Sequence, residues 1–284
     1  MVSRVSYVWF LVPGLVFVAV LIAFPVVFTL WLSLHDYQFG RTMRFHGLGN
    51  YAALMADQVF WQGLWITLTL YVVCLVAQLV IGLWIGLLLN ARIRGRPVLR
   101  AILISPFVLP GAIVGLMWLV ILDPSLGPAN YLLTTMGLPR SEWLASPHVV
   151  VPVIAMVDTW QWSPFIALIV LGGLQTLPDE PFEAALIDGA SRRQVFFYLT
   201  LPMLFPTLLT AAVLRSVDLL RFFDVIYVTT QGGPGSSSTT LNIYAYRRGF
   251  EFFDIGQASA IMVLLLVLVL VIVSALTYLR RRLS

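Results

Sequence analysis

Charged residues divide this chain into long uncharged runs. Between Arg4 and Asp36 lie 31 uncharged residues, between Asp57 and Arg92 34, between Arg100 and Asp123 22, and between Asp254 and Arg280 25. A helix crossing roughly 30 Å of hydrocarbon needs about 20 mainly apolar residues, so each run is long enough for one crossing. Residues 149–174 form a fifth run, interrupted by Asp158, and residues 203–226 a sixth that carries Arg215, Asp218, Arg221 and Asp224. The pattern predicts six spans near 8–33, 64–90, 101–122, 149–174, 203–226 and 257–279, within one transmembrane domain over residues 1–284. The fold class is therefore expected to be an all-α polytopic membrane protein, because a helix satisfies its backbone groups within the segment.

Composition strengthens this reading and removes several functions. The chain is 60% hydrophobic and 11% charged, with a mean hydropathy of +0.94, whereas a soluble domain carries roughly 25% charged residues. All seventeen basic residues are arginine. A P-loop needs a lysine to reach the phosphates, so none exists here, and Schiff-base chemistry on lysine is excluded with it. Cys74 is the single cysteine and has no partner for an intrachain disulfide. His35, His46 and His148 show no metal-ligand spacing and read as loop residues near span ends. The net charge of +4 is scattered among the spans, which gives no nucleic-acid signal.

The arginines instead report topology. One side holds Arg4, Arg92, Arg94, Arg96, Arg100, Arg192, Arg193, Arg280, Arg281 and Arg282; the other holds Arg41, Arg44, Arg140, Arg247 and Arg248. Cytoplasmic loops carry the arginine excess, so both termini are expected in the cytoplasm. The first span is too long for a signal-peptide core and no A-x-A site follows it, so it is expected to stay attached. Trp31, Trp61, Trp118 and Trp143 fall near outer span ends, as an aromatic belt would place them.

Residues 177–202, between the fourth and fifth spans, read as two short helices rather than a simple connector. Asp179 or Glu180 is expected to cap the first, with Pro181 in its first turn and Gly189 ending it. Ser191 followed by Gln194 is a capping box opening the second, and Pro202 is expected to mark the bend into the membrane. Arg192 and Arg193 occupy that helix's first turn, where the macrodipole disfavours cations. Carboxylates of a partner, anionic lipid headgroups or simple positive-inside anchoring each account for them.

These residues carry a resemblance. The order Glu183-Ala184-Ala185, then Asp188-Gly189, then nine residues to Leu199 and on to Leu201-Pro202 resembles the EAA loop of bacterial ABC-importer membrane subunits. The family usually has isoleucine where this chain has Leu199. A second stretch, residues 222–260, with Thr229, Gly232-Gly233-Pro234 and an approach from Phe250 to Gly256, is similar to the sugar-permease branch, the maltose and glycerol-3-phosphate type. The opening run and the HGLGNY turn at 46–51 resemble that branch too, so the similarity covers nearly the whole chain. Read by composition alone, Gly232 to Ser238 is a flexible outer loop.

The resemblance implies a type I ABC importer permease fold and a non-catalytic subunit for a sugar or sugar-like solute: oligosaccharide, polyol or glycerophosphate. It implies that Glu183, Ala184, Ala185, Asp188 and Gly189 seat on an ATPase, with Arg192, Arg193, Leu201 and Pro202 completing the coupling element. Expected partners are a homologous second permease, two ATPase subunits or a homodimer, an extracytoplasmic solute-binding protein and membrane lipid, with no nucleic acid. No cofactor is expected in this chain; ATP and Mg belong to the partner ATPase.

Ionisable groups at membrane depth face a bundle interior or a wet cavity. Arg215, Asp218, Arg221 and Asp224 alternate in sign at i, i+3 spacing, so neighbours can pair along one helix. Two readings stay open: paired charges that hold the fifth span against its neighbours, or a polar wall of the translocation path. In the fourth span Asp158, Trp160, Gln161 and Trp162 offer the rings, amide and carboxylate that suit a sugar. Trp160 and Trp162 also fit plain packing or outer-leaflet anchoring. Pro164 is expected to kink this span and open a cavity. Two rival classes remain. A secondary transporter needs inverted repeats and broken helices with ion ligands, and no internal repeat is evident. An intramembrane enzyme would place Mg²⁺ on Asp179, Glu180 and Glu183, but a second acidic cluster is missing.

Overall fold

A computed structural model describes residues 4–91 and 94–283. Arg92, counted above as topogenic, lies outside them, and Arg96 is described in its backbone alone. The chain divides into two compact units: one holds the residues up to Trp61 with Leu241–Val267, the other Gln62–Thr240 with the residues from Leu268 on.

The first unit opens with α1 (Arg4–Val18) and α2 (Phe24–Ser33), joined by a π-turn at Ala19–Ala23. Pro25, in the first turn of α2, donates no hydrogen bond, and the wider turn before it makes room for the missing donor. From Leu11 to Trp31 most apolar side chains are exposed, and Leu32 is the first that is buried. A two-residue hairpin follows, β1 (His35–Asp36) against β2 (Arg44–Phe45), then α3 (Gly49–Met55). Asn50 donates from Nδ2 to the carbonyls of Ser33 and His35, both at 2.9 Å. It thereby satisfies oxygens that the end of α2 leaves free.

In the second unit α4 (Gln58–Asn90) packs on α8 (Val150–Leu174) through two glycines one turn apart. A Cβ at Gly82 would stand 2.5 Å from Cβ of Ile166, and one at Gly86 2.6 Å from Cγ1 of Val170. Small residues at i, i+4 let membrane helices approach this closely. Behind the contact, Ile166, Val170, Leu204 and Ala211 form one buried cluster. The stretch expected as one span over 101–122 is two helices, α5 (Arg96–Val108) and α6 (Gly111–Ile121), bent by 99°. Pro110 pushes Leu109 out of the helical region to φ −76°, ψ 135°, and the helix breaks there. α6 packs instead with α8 and α12, through Val114, Val153, Val157 and Val225. The connection from α6 to α8 carries α7 (Pro128–Thr135) and a single 3₁₀ turn at Trp143–Ala145.

On the other side of α8 come α9 (Glu180–Ile187) and α10 (Arg192–Val195). A π-turn at Phe196–Thr200 leads into α11 (Leu201–Leu220), and α12 (Asp224–Thr229) follows. Pro202 does not bend the chain. The Leu201 N–H reaches back to Phe196 O, and the widened turn accommodates the proline, so the helix enters without a break. Within the run expected as one span over 203–226, Arg221 ends α11 with φ −105° and ψ 15°, yet Arg192–Thr229 as a whole remains one membrane-length stretch. Gly232 to Ser238 is a packed segment and not a flexible loop. Ser238 and Thr239 are fully buried; Ser238 Oγ donates to Gly233 O at 2.6 Å and Thr239 Oγ1 to Gly232 O at 2.9 Å.

The first unit is completed by α13 (Leu241–Tyr246), a π-turn at Arg247–Glu251 and the start of α14 (Ile255–Leu283). Gly256 lies against the hairpin, where a Cβ would come 2.3 Å from His35 O. Arg248 Nη2 stands 3.2 Å from Asp57 Oδ2, and Tyr244 donates its hydroxyl to the same carboxylate oxygen. Burial raises the Asp57 carboxyl, but the bonds from Tyr244 and the Val59 N–H and the charge of Arg248 outweigh it and leave it below the usual carboxylate value. Burial and the Asp57 bond push the Tyr244 phenol up to about 12. Among the described residues five helical stretches are long and apolar enough to cross a bilayer, six if the bent α5–α6 pair is one span.

Candidate functional site: a buried charge cluster, a polar cavity and an exposed helical hairpin

Asp158, Gln161 and Trp162 lie at i, i+3 and i+4 on α8 and so share one face. α11 brings Arg215 against that face. Its Nη2 lies 2.8 Å from Asp158 Oδ1 and 2.7 Å from Oδ2, and its Nε donates to Gln78 Oε1 at 2.8 Å. Gln78, from α4, closes the ring by donating to Asp158 Oδ2 at 2.7 Å. The guanidinium carbon is 4.1 Å from the centre of the Trp162 ring. Arg215 is 1% exposed and Asp158 0%. A buried pair survives only when the remaining donors and lone pairs find partners, and Gln78 and the ring supply them. The Arg215–Asp218 pairing that the i, i+3 spacing suggested is absent among the described contacts. Arg215 reaches across to α8, and Asp218 pairs with Arg221 at 3.5 Å near the surface.

Beside this cluster opens a cavity of about 490 Å³. Its wall includes Gln161, Trp162 and Arg215, then Asp218, Arg221 and Asp224, with Phe107, Phe222 and Phe223 supplying rings. The break at Leu109–Gly111 lines it too. Backbone that leaves the helix at membrane depth must be satisfied by protein or face a wet cavity; here Gln161 Nε2 donates to Leu109 O at 2.9 Å. α8 runs through Pro164 without a break, and Pro164 is not among the residues that line the cavity, whereas the α5–α6 break is. Trp160 is turned to another side of α8, edge-on to Trp118 at 5.6 Å and 38% exposed, and does not line the cavity. Sequence reasoning missed Gln78 and Leu109–Gly111. The signals were a lone amide midway along an apolar run and a proline-glycine pair inside another.

The hairpin over 177–202 forms as two helices. α9 ends in a Schellman arrangement: Gly189 takes φ +74°, its N–H reaches Leu186 O at 3.2 Å, and Ala190 N–H reaches Ala185 O at 2.9 Å. Apart from its immediate chain neighbours, no described residue has a heavy atom within 4 Å of a Cβ built on Gly189. Asp179 occupies the cap position of α9, yet its side chain makes no capping bond, and Glu180 is the first helical residue. The box at α10 is complete: Gln194 N–H to Ser191 Oγ and Ser191 N–H to Gln194 Oε1. Arg193 lies over the Phe197 ring at 5.9 Å, a local compensation for its place in a first turn. Glu183, Ala184, Asp188, Gly189 and Arg192 are exposed, Ala185 and Leu201 half-buried, and Pro202 exposed. Leu186 and Ile187 present apolar side chains that are 72% and 86% exposed.

Membrane-length helices, a polar cavity at a helix break and an exposed helical hairpin are the build of a membrane transport subunit. Residues 78–284 match the family of binding-protein-dependent transport system inner membrane components, and the chain belongs to that family. It is 39% identical over 263 residues to the trehalose/maltose transport system permease MalF of Thermococcus litoralis, covering 92% of this chain and 88% of that one. It is 33% identical over 265 residues to the sulfoquinovosyl glycerol transport system permease SmoG of Agrobacterium fabrum, covering 92% and 86%. The crystal structure of a bacterial alginate ABC transporter in complex with an alginate pentasaccharide-bound periplasmic protein superposes with a TM-score of 0.86. It covers 97% of this chain and 94% of that one at 23% identity, a likeness of fold. The chain is thus a non-catalytic, multi-pass permease subunit of an importer whose ATP is used by a separate ATPase.

Proposed function

We propose that this subunit forms half of the path of an ATP-driven importer for a sugar or sugar-like solute, with residues 177–202 coupling it to the ATPase. The whole chain acts as one transmembrane permease domain with both termini in the cytoplasm. It pairs with a homologous second permease, two ATPase subunits that bind ATP and Mg, and an extracytoplasmic binding protein. The sugar assignment is supported by relatives named for trehalose/maltose and sulfoquinovosyl glycerol transport. The coupling assignment is carried by one observation: a helical hairpin, closed by the Gly189 turn and the Ser191–Gln194 capping box, that leaves Leu186 and Ile187 uncovered beside Glu183, Asp188 and Gly189. An exposed apolar pair rimmed by charge is a surface built to be covered by protein.

In this reading the ATPases close on ATP, draw the hairpins together and open the spans outward to receive sugar from the docked binding protein; hydrolysis restores the inward state. Asp158 and Arg215 hold the wall of the path, and Gln161, Trp162, Asp218 and Arg221 face the solute. Proteoliposomes carrying the complete complex test this. Uptake should require ATP and binding protein and vanish when the ATPase is left out; uptake that persists without it, driven by an ion gradient, would contradict the proposal.

A further inference from the structure

We infer that the cavity at the α5–α6 break takes a neutral polyhydroxyl ligand, an uncharged mono- or disaccharide unit, and discriminates against carboxylated or phosphorylated sugars. This rests on the reading of that cavity as part of the sugar path. Charge is the first ground. Both guanidiniums on the wall already face carboxylates: Arg215 holds both oxygens of Asp158, and Arg221 faces Asp218. Asp224 adds a third carboxylate. Two arginines set against Asp158, Asp218 and Asp224 leave an excess of one formal negative charge (+2 − 3 = −1). An acidic sugar would meet that excess without an uncommitted cation on the wall. Turning Arg215 towards it would strand Asp158 as an uncompensated buried charge.

Gln161 provides the second ground. It is 3% exposed, and its Oε1 has no partner among the described residues. The amide cannot be flipped to cure this, because Nε2 donates to Leu109 O at 2.9 Å and a flip would set two acceptors together. Gln161 is a wall residue, and the described residues leave its carbonyl oxygen without a donor. Sugar hydroxyls donate; a carboxylate or phosphate group brings acceptors. The rings of Phe107, Trp162 and Phe222 suit the apolar C–H faces of a pyranose. A volume of about 490 Å³ is of small-molecule size.

The test is equilibrium binding of radiolabelled maltose and trehalose to the complete permease–ATPase complex in nanodiscs, in competition with maltobionate and glucose 6-phosphate. The neutral probes should bind saturably, and the two anions should compete at least about tenfold more weakly. Gln161→Leu should weaken the neutral probes about tenfold, the size expected for one unmade hydrogen bond to a buried acceptor. Asp224→Asn, which removes one carboxylate from the cavity wall, should narrow the ratio between maltose and maltobionate binding. Anions that compete as well as maltose, or maltose binding unchanged by Gln161→Leu, would overturn the inference. Absence of saturable sugar binding in a complex that still drives sugar uptake with ATP would overturn it too, and leave the importer reading in place. Sugar uptake that does not depend on the ATPase would instead overturn the importer reading.

Discussion

Asp158 and Arg215 meet through both carboxylate oxygens at 2.7 and 2.8 Å, across two helices and out of contact with solvent. Removing one member leaves the other charged and buried, a loss of about 3–5 kcal/mol, whereas an apolar pair of similar volume is often neutral. Asp158→Ala and Arg215→Ala should each lower the thermal midpoint of the purified complex markedly. The double variant Asp158→Leu/Arg215→Met should recover much of that loss yet transport poorly, because the polar wall is gone. Midpoints and uptake measured on the same four proteins check this; normal uptake by the double variant would leave the pair a purely structural role.

Gly82 and Gly86 set the distance between α4 and α8. A methyl group at Gly86 would meet Val170 at 2.6 Å, well inside ordinary contact. Gly86→Ala should destabilise by about 1–3 kcal/mol, the usual range for overpacking, and Val170→Ala in the same chain should restore part of it. Unfolding in a detergent series reads the coupling directly. A Gly86→Ala variant as stable as the parent would show that the two helices are not in register as described.

Asp57 gives a pH dependence with a definite sign. Its carboxyl is held below the ordinary value of 3.8 in the folded unit. The stabilisation is therefore complete above that value and disappears as pH falls from 3.8 through the folded-state value. Tyr244→Phe removes one of the bonds that lower it and brings the folded value back towards 3.8, so the variant should lose less stability to acid than the parent. Asp57→Asn should lack this component altogether. Thermal midpoints between about pH 3 and 7 for the three proteins decide the matter.

Much of the architecture was legible because lipid imposes a single dominant rule. Long uncharged runs mark α1–α2, α4 and α14, a run broken only by Asp158 marks α8, and Ser191, Gln194 and Gly189 mark the ends of the hairpin helices through local backbone chemistry. What the runs concealed were interruptions that cost no hydrophobicity. Pro110 breaks the 101–122 run with no polar residue to announce it, and Arg221 ends α11 where a ladder of charges suggested continuity. The cluster was half legible. Asp158 and Arg215 stand out as costly residues, but their pairing depends on which faces of α8 and α11 meet, and periodicity within one helix does not carry that. Gln78 was hidden because an amide in an apolar run has no sequence partner to point at.

The coupling hairpin is the central claim, and Gly189 tests it most directly. Its φ of +74° suits glycine, and aspartate enters that region at less cost than most side chains. The space around its Cβ is open within this chain, so Gly189→Asp should leave α9 and the fold intact while placing a new carboxylate on the uncovered face. The measurement is sugar uptake together with co-purification of the ATPase from the same membranes. The account predicts a normally inserted permease that loses most uptake and retains little ATPase, with Glu183→Ala showing a milder version because an exposed ion pair is worth about 1 kcal/mol or less. Wild-type uptake by Gly189→Asp with the ATPase fully bound would contradict it.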